Sequence, residues 1–168
     1  MTPADLLLDA FGRVREVVHA TLDGLDQEQL ATRPGPRANS IAWLVWHLTR
    51  IQDDHVARAA GWPQVYTAQD FASRFQLPFD DADTGYGHSP DDVAAVRPKS
   101  ADLLIGYHDA VHDQTARYVV GLGPEELARI VDRSWNPPVT LGIRLISVIS
   151  DDLQHAGQAA YVRGLLGA

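Results

Sequence analysis

The stretch Asn39-Ser-Ile-Ala-Trp43-Leu-Val-Trp46-His47-Leu-Thr-Arg50-Ile-Gln-Asp-Asp54-His55 decides the fold class. Ile41, Leu44, Leu48, Ile51 and His55 recur at spacings of three and four, the period of an α-helix with one apolar face, and Trp43 and Trp46 widen it. Asn39 or Ser40 offers a cap for the first turn, and Gly61 and Pro63 stop the run. Such a stripe must be buried against other helices.

Partners for it stand on both sides. Upstream, Thr2-Pro3-Ala4-Asp5 starts a helix with the stripe Leu7, Phe11, Val14, Val18, Leu22 and Leu25, and Asp26 opens a further short turn before Arg33-Pro-Gly-Pro-Arg37 breaks the chain. Downstream, Ser100 caps a helix carrying Leu104, Tyr107, Val111, Thr115, Tyr118 and Leu122, and Thr140 caps another carrying Leu141, Leu145, Val148, Ala156, Ala159 and Leu166. Residues 61–98, with Pro63, Pro78, Pro90, Pro98, Gly85 and Gly87, form a long connection holding one short helix near Ala68 to Phe75. Trp135 is expected to pack on the bundle end, and no strand alternation competes with the helices. The expectation is an all-α four-helix bundle, one domain over 1–168, with the long connection between helices two and three.

Composition limits the function. The 168 residues include 45% hydrophobic and 21% charged side chains, enough for a folded core. A net charge of −8 disfavours nucleic acid and anionic membrane surfaces, and no membrane span or signal peptide is visible, so a cytoplasmic protein acting on a small molecule is expected. The absence of cysteine excludes disulfides, thiolate metal sites and a cysteine nucleophile. Thirteen arginines stand against one lysine, Lys99, which together with the many alanines reads as a GC-rich coding bias.

Chemistry must then come from polar groups on the helices. Asp151 and His155 in Ser150-Asp-Asp-Leu-Gln-His155 are one turn apart on one face. That spacing suits a shared metal ion and equally a carboxylate hydrogen-bonded to an imidazole without metal. His47 and His55 lie at or on the apolar face of the second helix, as ligands or as satisfied core histidines. His108 and His112 form a rival pair, with His112 expected toward solvent. Gly85-Tyr86-Gly87-His88 is either a flap over a pocket or a surface turn. Phosphate loops, dinucleotide fingerprints and hydrolase elbows are absent.

Asn39-Ser-Ile-Ala-Trp-Leu-Val-Trp-His47-Leu and Asp151-Asp-Leu-Gln-His155-Ala-Gly-Gln158 resemble the DinB/YfiT-like superfamily, which includes metal-dependent hydrolases and thiol transferases related to mycothiol-dependent maleylpyruvate isomerase. The resemblance covers nearly the whole chain. It implies a DinB-like bundle that binds a divalent metal, zinc, nickel, manganese or iron, through His47, Asp151 and His155, with Asp151 where histidine is the commoner residue. It also implies an external thiol cofactor, mycothiol or bacillithiol, and the GC-rich bias favours mycothiol. On this basis the chain is expected to be a mycothiol transferase or isomerase; the alternatives are a metal-dependent hydrolase and a non-enzymatic bundle with a structural or vestigial metal. Candidate proton carriers are Asp152, Asp54 and His55, candidate cofactor contacts are Arg50, Arg144, Tyr86 and His88, and the superfamily implies a homodimer.

Overall fold

The structure, a computed structural model, describes residues 1–168. Four long helices, α1 (Pro3–Leu22), α3 (Ile41–Ala60), α7 (Ala101–Val119) and α9 (Leu141–Leu166), form a bundle in which α3 packs on α7 and α9, and α1 packs on the same two. Consecutive long helices α1 and α3 therefore sit diagonally. The short elements are α2 (Gln27–Ala31), α4 (Val65–Ala68), α5 (Phe71–Phe75), α6 (Pro90–Ala95), α8 (Pro124–Leu127), β1 (Ile130–Asp132) and β2 (Val139–Thr140).

Local chemistry sets the helix starts. The Thr2 hydroxyl accepts from the Asp5 amide while the Asp5 carboxylate accepts from Thr2, satisfying two otherwise orphaned donors. Ser40 caps α3 through the Trp43 amide, and Thr140 caps α9 through the Ile143 amide. Ser100 precedes α7 but makes no side-chain cap, contrary to the sequence expectation.

All the stripe residues of α1 are buried. One apolar cluster gathers Val14, Val18, Leu44, Trp46, Leu48, Leu104, Val111 and Ala156; a second, at the opposite end, gathers Leu7, Phe11, Val56, Val119, Leu145 and Val148. Each fully buried side chain of this size contributes roughly 1.5–3 kcal/mol. Between the two clusters lie buried Thr49, Gln52, Thr115 and Asp152, with the Gln52 amide donating to Thr115 at 2.8 Å.

Three expectations are corrected. The long connection carries three short helices, α4 to α6, because Phe71, Phe75 and Val93 each reach the core. Residues 130–140 form a two-stranded antiparallel hairpin, too short for alternation to show in sequence. Trp135, in the loop of that hairpin, is 66% exposed and does not cover the bundle end. No helix is long and apolar enough to cross a membrane.

Candidate metal centre

On α3 the 3.6-residue period places His47 one turn after Trp43, and the two rings stack at 4.6 Å. On α9 the same period aligns Asp151 with His155, whose Nε2 lies 3.6 Å from Asp151 Oδ1. Packing of α3 on α9 brings the His47 and His155 rings edge to face at 4.9 Å. One ligand atom from each of His47, Asp151 and His155 lies within 4.8 Å of the others, and no other group of three or more histidine or carboxylate residues gathers in this way.

Both imidazoles are held in a defined tautomer. His47 Nδ1 is 2.5 Å from the Thr84 carbonyl oxygen and His155 Nδ1 is 2.9 Å from Gln158 Oε1. Each oxygen can only accept, so each Nδ1 carries the proton and each Nε2 keeps its lone pair for a ligand. Burial lowers the His47 pKa, outweighing the Thr84 hydrogen bond that raises it, and keeps the ring neutral at pH 7. Asp151 Oδ2 is buried without a hydrogen-bond partner, a costly state that a bound cation relieves. Two imidazoles and a carboxylate thus fit a divalent transition metal with positions left for other ligands.

The loop 80–89 builds the wall behind His47. Gly85 has φ +89°, and a Cβ there would stand 2.9 Å from His47 Nδ1 and 3.0 Å from the Trp46 ring, so only glycine fits. The His88 ring is wedged against Trp43, Trp46 and Phe79; its Nδ1 accepts from Trp43 Nε1 at 3.0 Å and its Nε2 donates to Asp83 at 3.1 Å. His88 therefore shapes the wall, while Tyr86 is 90% exposed and points away.

Arg50 is fully buried. It donates to the carbonyls of Asp81 and Asp83 at 2.9 and 3.0 Å, to Gln64 Oε1 at 2.9 Å and to the Tyr107 hydroxyl at 3.2 Å, so it anchors the loop that holds His47 instead of facing a ligand. Arg144 bonds Asp132 at 2.8 Å. Asp152 is fully buried with neither oxygen bonded, and burial first, then the neighbouring Asp151 charge, pushes its pKa well up. Asp54 accepts from Gln64 at 2.9 Å, and partly exposed His55 has its pKa lowered by burial and by Arg144. His108 is buried against Thr49, and His112 is largely covered rather than solvated, because α1 lies over this side of α7.

Sequence reasoning overlooked the Thr84 carbonyl, the Gln158 amide and the steric need for Gly85. No sequence spacing links residues 84 or 85 to residue 47. Gln158, one turn from His155 on α9, was visible as a neighbour but carried no signal of its role.

A four-helix bundle with two histidines and an aspartate on facing helices is the class that this fold and site define. Residues 6–168 match the mycothiol-S-transferase family, and the chain belongs to that family and so to the DinB/YfiT-like superfamily. A solved structure described as that of the conserved protein of locus from Enterococcus faecalis is similar to it over 100% of this chain and 99% of that chain, with a TM-score of 0.93 and 30% identity. No curated protein matches the chain.

Proposed function

We propose that the protein transfers mycothiol to a small electrophile, using a divalent metal held by Nε2 of His47, a carboxylate oxygen of Asp151 and Nε2 of His155. The observation that carries this reading is the preset pair of tautomers beside the unpartnered Asp151 oxygen, in a chain of the mycothiol-S-transferase family. A divalent cation in such a donor set supplies Lewis acidity that favours the thiolate at neutral pH. The chain contributes no sulfur nucleophile, having no cysteine, so the thiol arrives on the cofactor. Its sulfur, after giving up its proton, forms the new bond to the electrophilic carbon as that carbon's bond to oxygen or halogen breaks. The opened epoxide oxygen takes up a proton, or the halide leaves to solvent. Thr84 and Gln158 keep both histidines oriented, and the Trp43 ring excludes water from one side of His47. Of the candidates Asp54, His55 and Asp152, His55 is partly exposed and its pKa is lowered by burial, but it lies two turns beyond His47 and lines the neighbouring pocket, so none of the three is assigned as the proton acceptor.

The test is elemental mass spectrometry on gently purified wild type and His155→Ala, followed by mycothiol conjugation to a panel of epoxides and alkyl halides. Near-stoichiometric metal lost in the variant, with metal-dependent consumption of mycothiol, supports the proposal. Metal with thiol-independent ester or amide cleavage replaces it by the hydrolase reading, and no metal after reloading with zinc, nickel, manganese and iron replaces it by the non-enzymatic one.

We extend the proposal to a homodimer through α9, whose outer face exposes Ile143, Ile146, Leu153, Tyr161 and Leu165 within one third of the helix circumference. Sedimentation as a monomer at micromolar concentration overturns it.

A further inference from the structure

Beyond the candidate metal centre, on the same two helices, lies a pocket of about 360 Å³ lined from α3 by His55, Arg58 and Ala59 and from α9 by Arg144. Arg144 lies seven residues before Asp151 on α9, two turns or about 10 Å along the axis, and on α3 Arg58 continues the His47 face three turns on, with His55 beside it. Arg129 and strand β1, with Asp132, close the remaining side. Three guanidiniums therefore converge on one cavity, in a chain whose net charge is −8.

Structural pairing accounts for only part of this charge. Arg144 bonds Asp132 through Nη2 alone, at 2.8 Å. Arg129 meets no carboxylate; its Nη2 donates to the Ala59 carbonyl at 3.0 Å and to the Tyr118 hydroxyl at 2.9 Å. Arg58 has only a 3.5 Å approach to Asp54 and a side chain 75% exposed. Like charges gathered at this range repel one another, and the bonds to carbonyl and phenol orient the guanidinium of Arg129 without neutralising it. The lining thus holds more positive charge than its own carboxylates balance, with planar N–H donors left over. That arrangement matches the two oxygens of a carboxylate.

We propose that this pocket is a carboxylate-binding subsite that recognises the electrophilic acceptor. The assignment to the acceptor rests on the transferase reading above: mycothiol carries a thiol, amide and hydroxyl groups but no carboxylate, so the anion belongs to the other substrate. The subsite selects small acids whose carboxylate sits about two helix turns along the seam from the metal centre, and disfavours their amides and esters.

Calorimetric titration with succinate, succinamide and inorganic phosphate tests this on wild type, Arg58→Gln, Arg129→Gln, Arg144→Gln and metal-free His155→Ala. Succinate is expected to bind wild type and His155→Ala alike, succinamide neither, and each arginine variant about tenfold or more weakly, as loss of one charge-assisted hydrogen bond requires. Arg58→Gln removes an exposed side chain, so its folding is not at issue. Absence of succinate binding to wild type, its loss in His155→Ala, or tighter binding of phosphate than of succinate overturns the assignment. Retained succinate binding in a protein that fails to transfer mycothiol sinks the transferase reading and leaves the anion pocket standing.

Discussion

His47 Nδ1 faces the carbonyl oxygen of Thr84 at 2.5 Å, across 37 residues of sequence. The contact joins the candidate metal centre to the connection between α3 and α7: Arg50 holds that loop by two carbonyls, and the loop holds His47 beside Asp151 and His155.

Gly85→Ala tests this coupling. The added methyl meets His47 Nδ1 at 2.9 Å in a left-handed backbone, so the loop must shift. The expected result is a loss of about 10–100-fold in zinc affinity, the usual effect of disturbing a ligand's support, with roughly 1–3 kcal/mol of stability. Unchanged affinity by competition titration would show that Thr84 does not position the ligand.

At position 151 chemistry matters more than shape. Asp151→His is expected to retain a metal, since imidazole is a competent donor, whereas Asp151→Leu is expected to lose it. Stoichiometry by mass spectrometry reads this directly; equal metal in both variants removes Asp151 from the ligand set.

Removing the metal is expected to lower the melting temperature without unfolding the bundle, because the cluster lies on one seam and both apolar cores are complete without it. At a free metal concentration of about 100–1,000 times Kd, bound metal adds about 3–4 kcal/mol. A chelator that leaves the melting curve unmoved contradicts native-state binding.

His108 makes stability depend on pH. Burial, then His112, lowers its pKa to about 3, and Asp109, His19 and Arg15 also act on it. The unfolded chain binds this proton near pH 6.5 and the folded chain near 3, so the contribution is complete above pH 6.5 and is lost as pH falls toward 3. By pH 5 the loss is about 2 kcal/mol. Denaturant melts should show a shallower dependence for His108→Leu between pH 6.5 and 4; parallel curves would mean the site is hydrated.

Asp53 anchors the start of α4. Its carboxylate accepts from the Val65 and Tyr66 amides and from the Tyr107 hydroxyl, at 2.8, 2.8 and 2.9 Å, with Arg50 3.5 Å away. Asp53→Ala leaves these buried groups unpaired and is expected to cost about 3–5 kcal/mol in urea unfolding. A loss under 1 kcal/mol would mean water replaces the carboxylate.

The helix periods of Leu7 to Leu25 and of Ile41 to Leu48, the caps at Thr2, Ser40 and Thr140, and the pairing of Asp151 with His155 were legible in the sequence. Each depends on residues within one or two helix turns, where chain geometry alone fixes the neighbours. The role of Arg50 was not legible: a guanidinium looks the same in sequence whether it faces a ligand or, as here, the carbonyls of Asp81 and Asp83. The Thr84 contact and the convergence of Arg58, Arg129 and Arg144 likewise depend on tertiary packing, whereas the hairpin at 130–140 and the Gln158 contact are local but leave no periodicity that reports them. Sequence by itself determined which faces must be buried, because burial follows local periodicity. Tertiary structure alone decided which polar groups meet across those faces, because hydrogen bonds and ion pairs act over a few ångströms between segments that sequence distance does not relate.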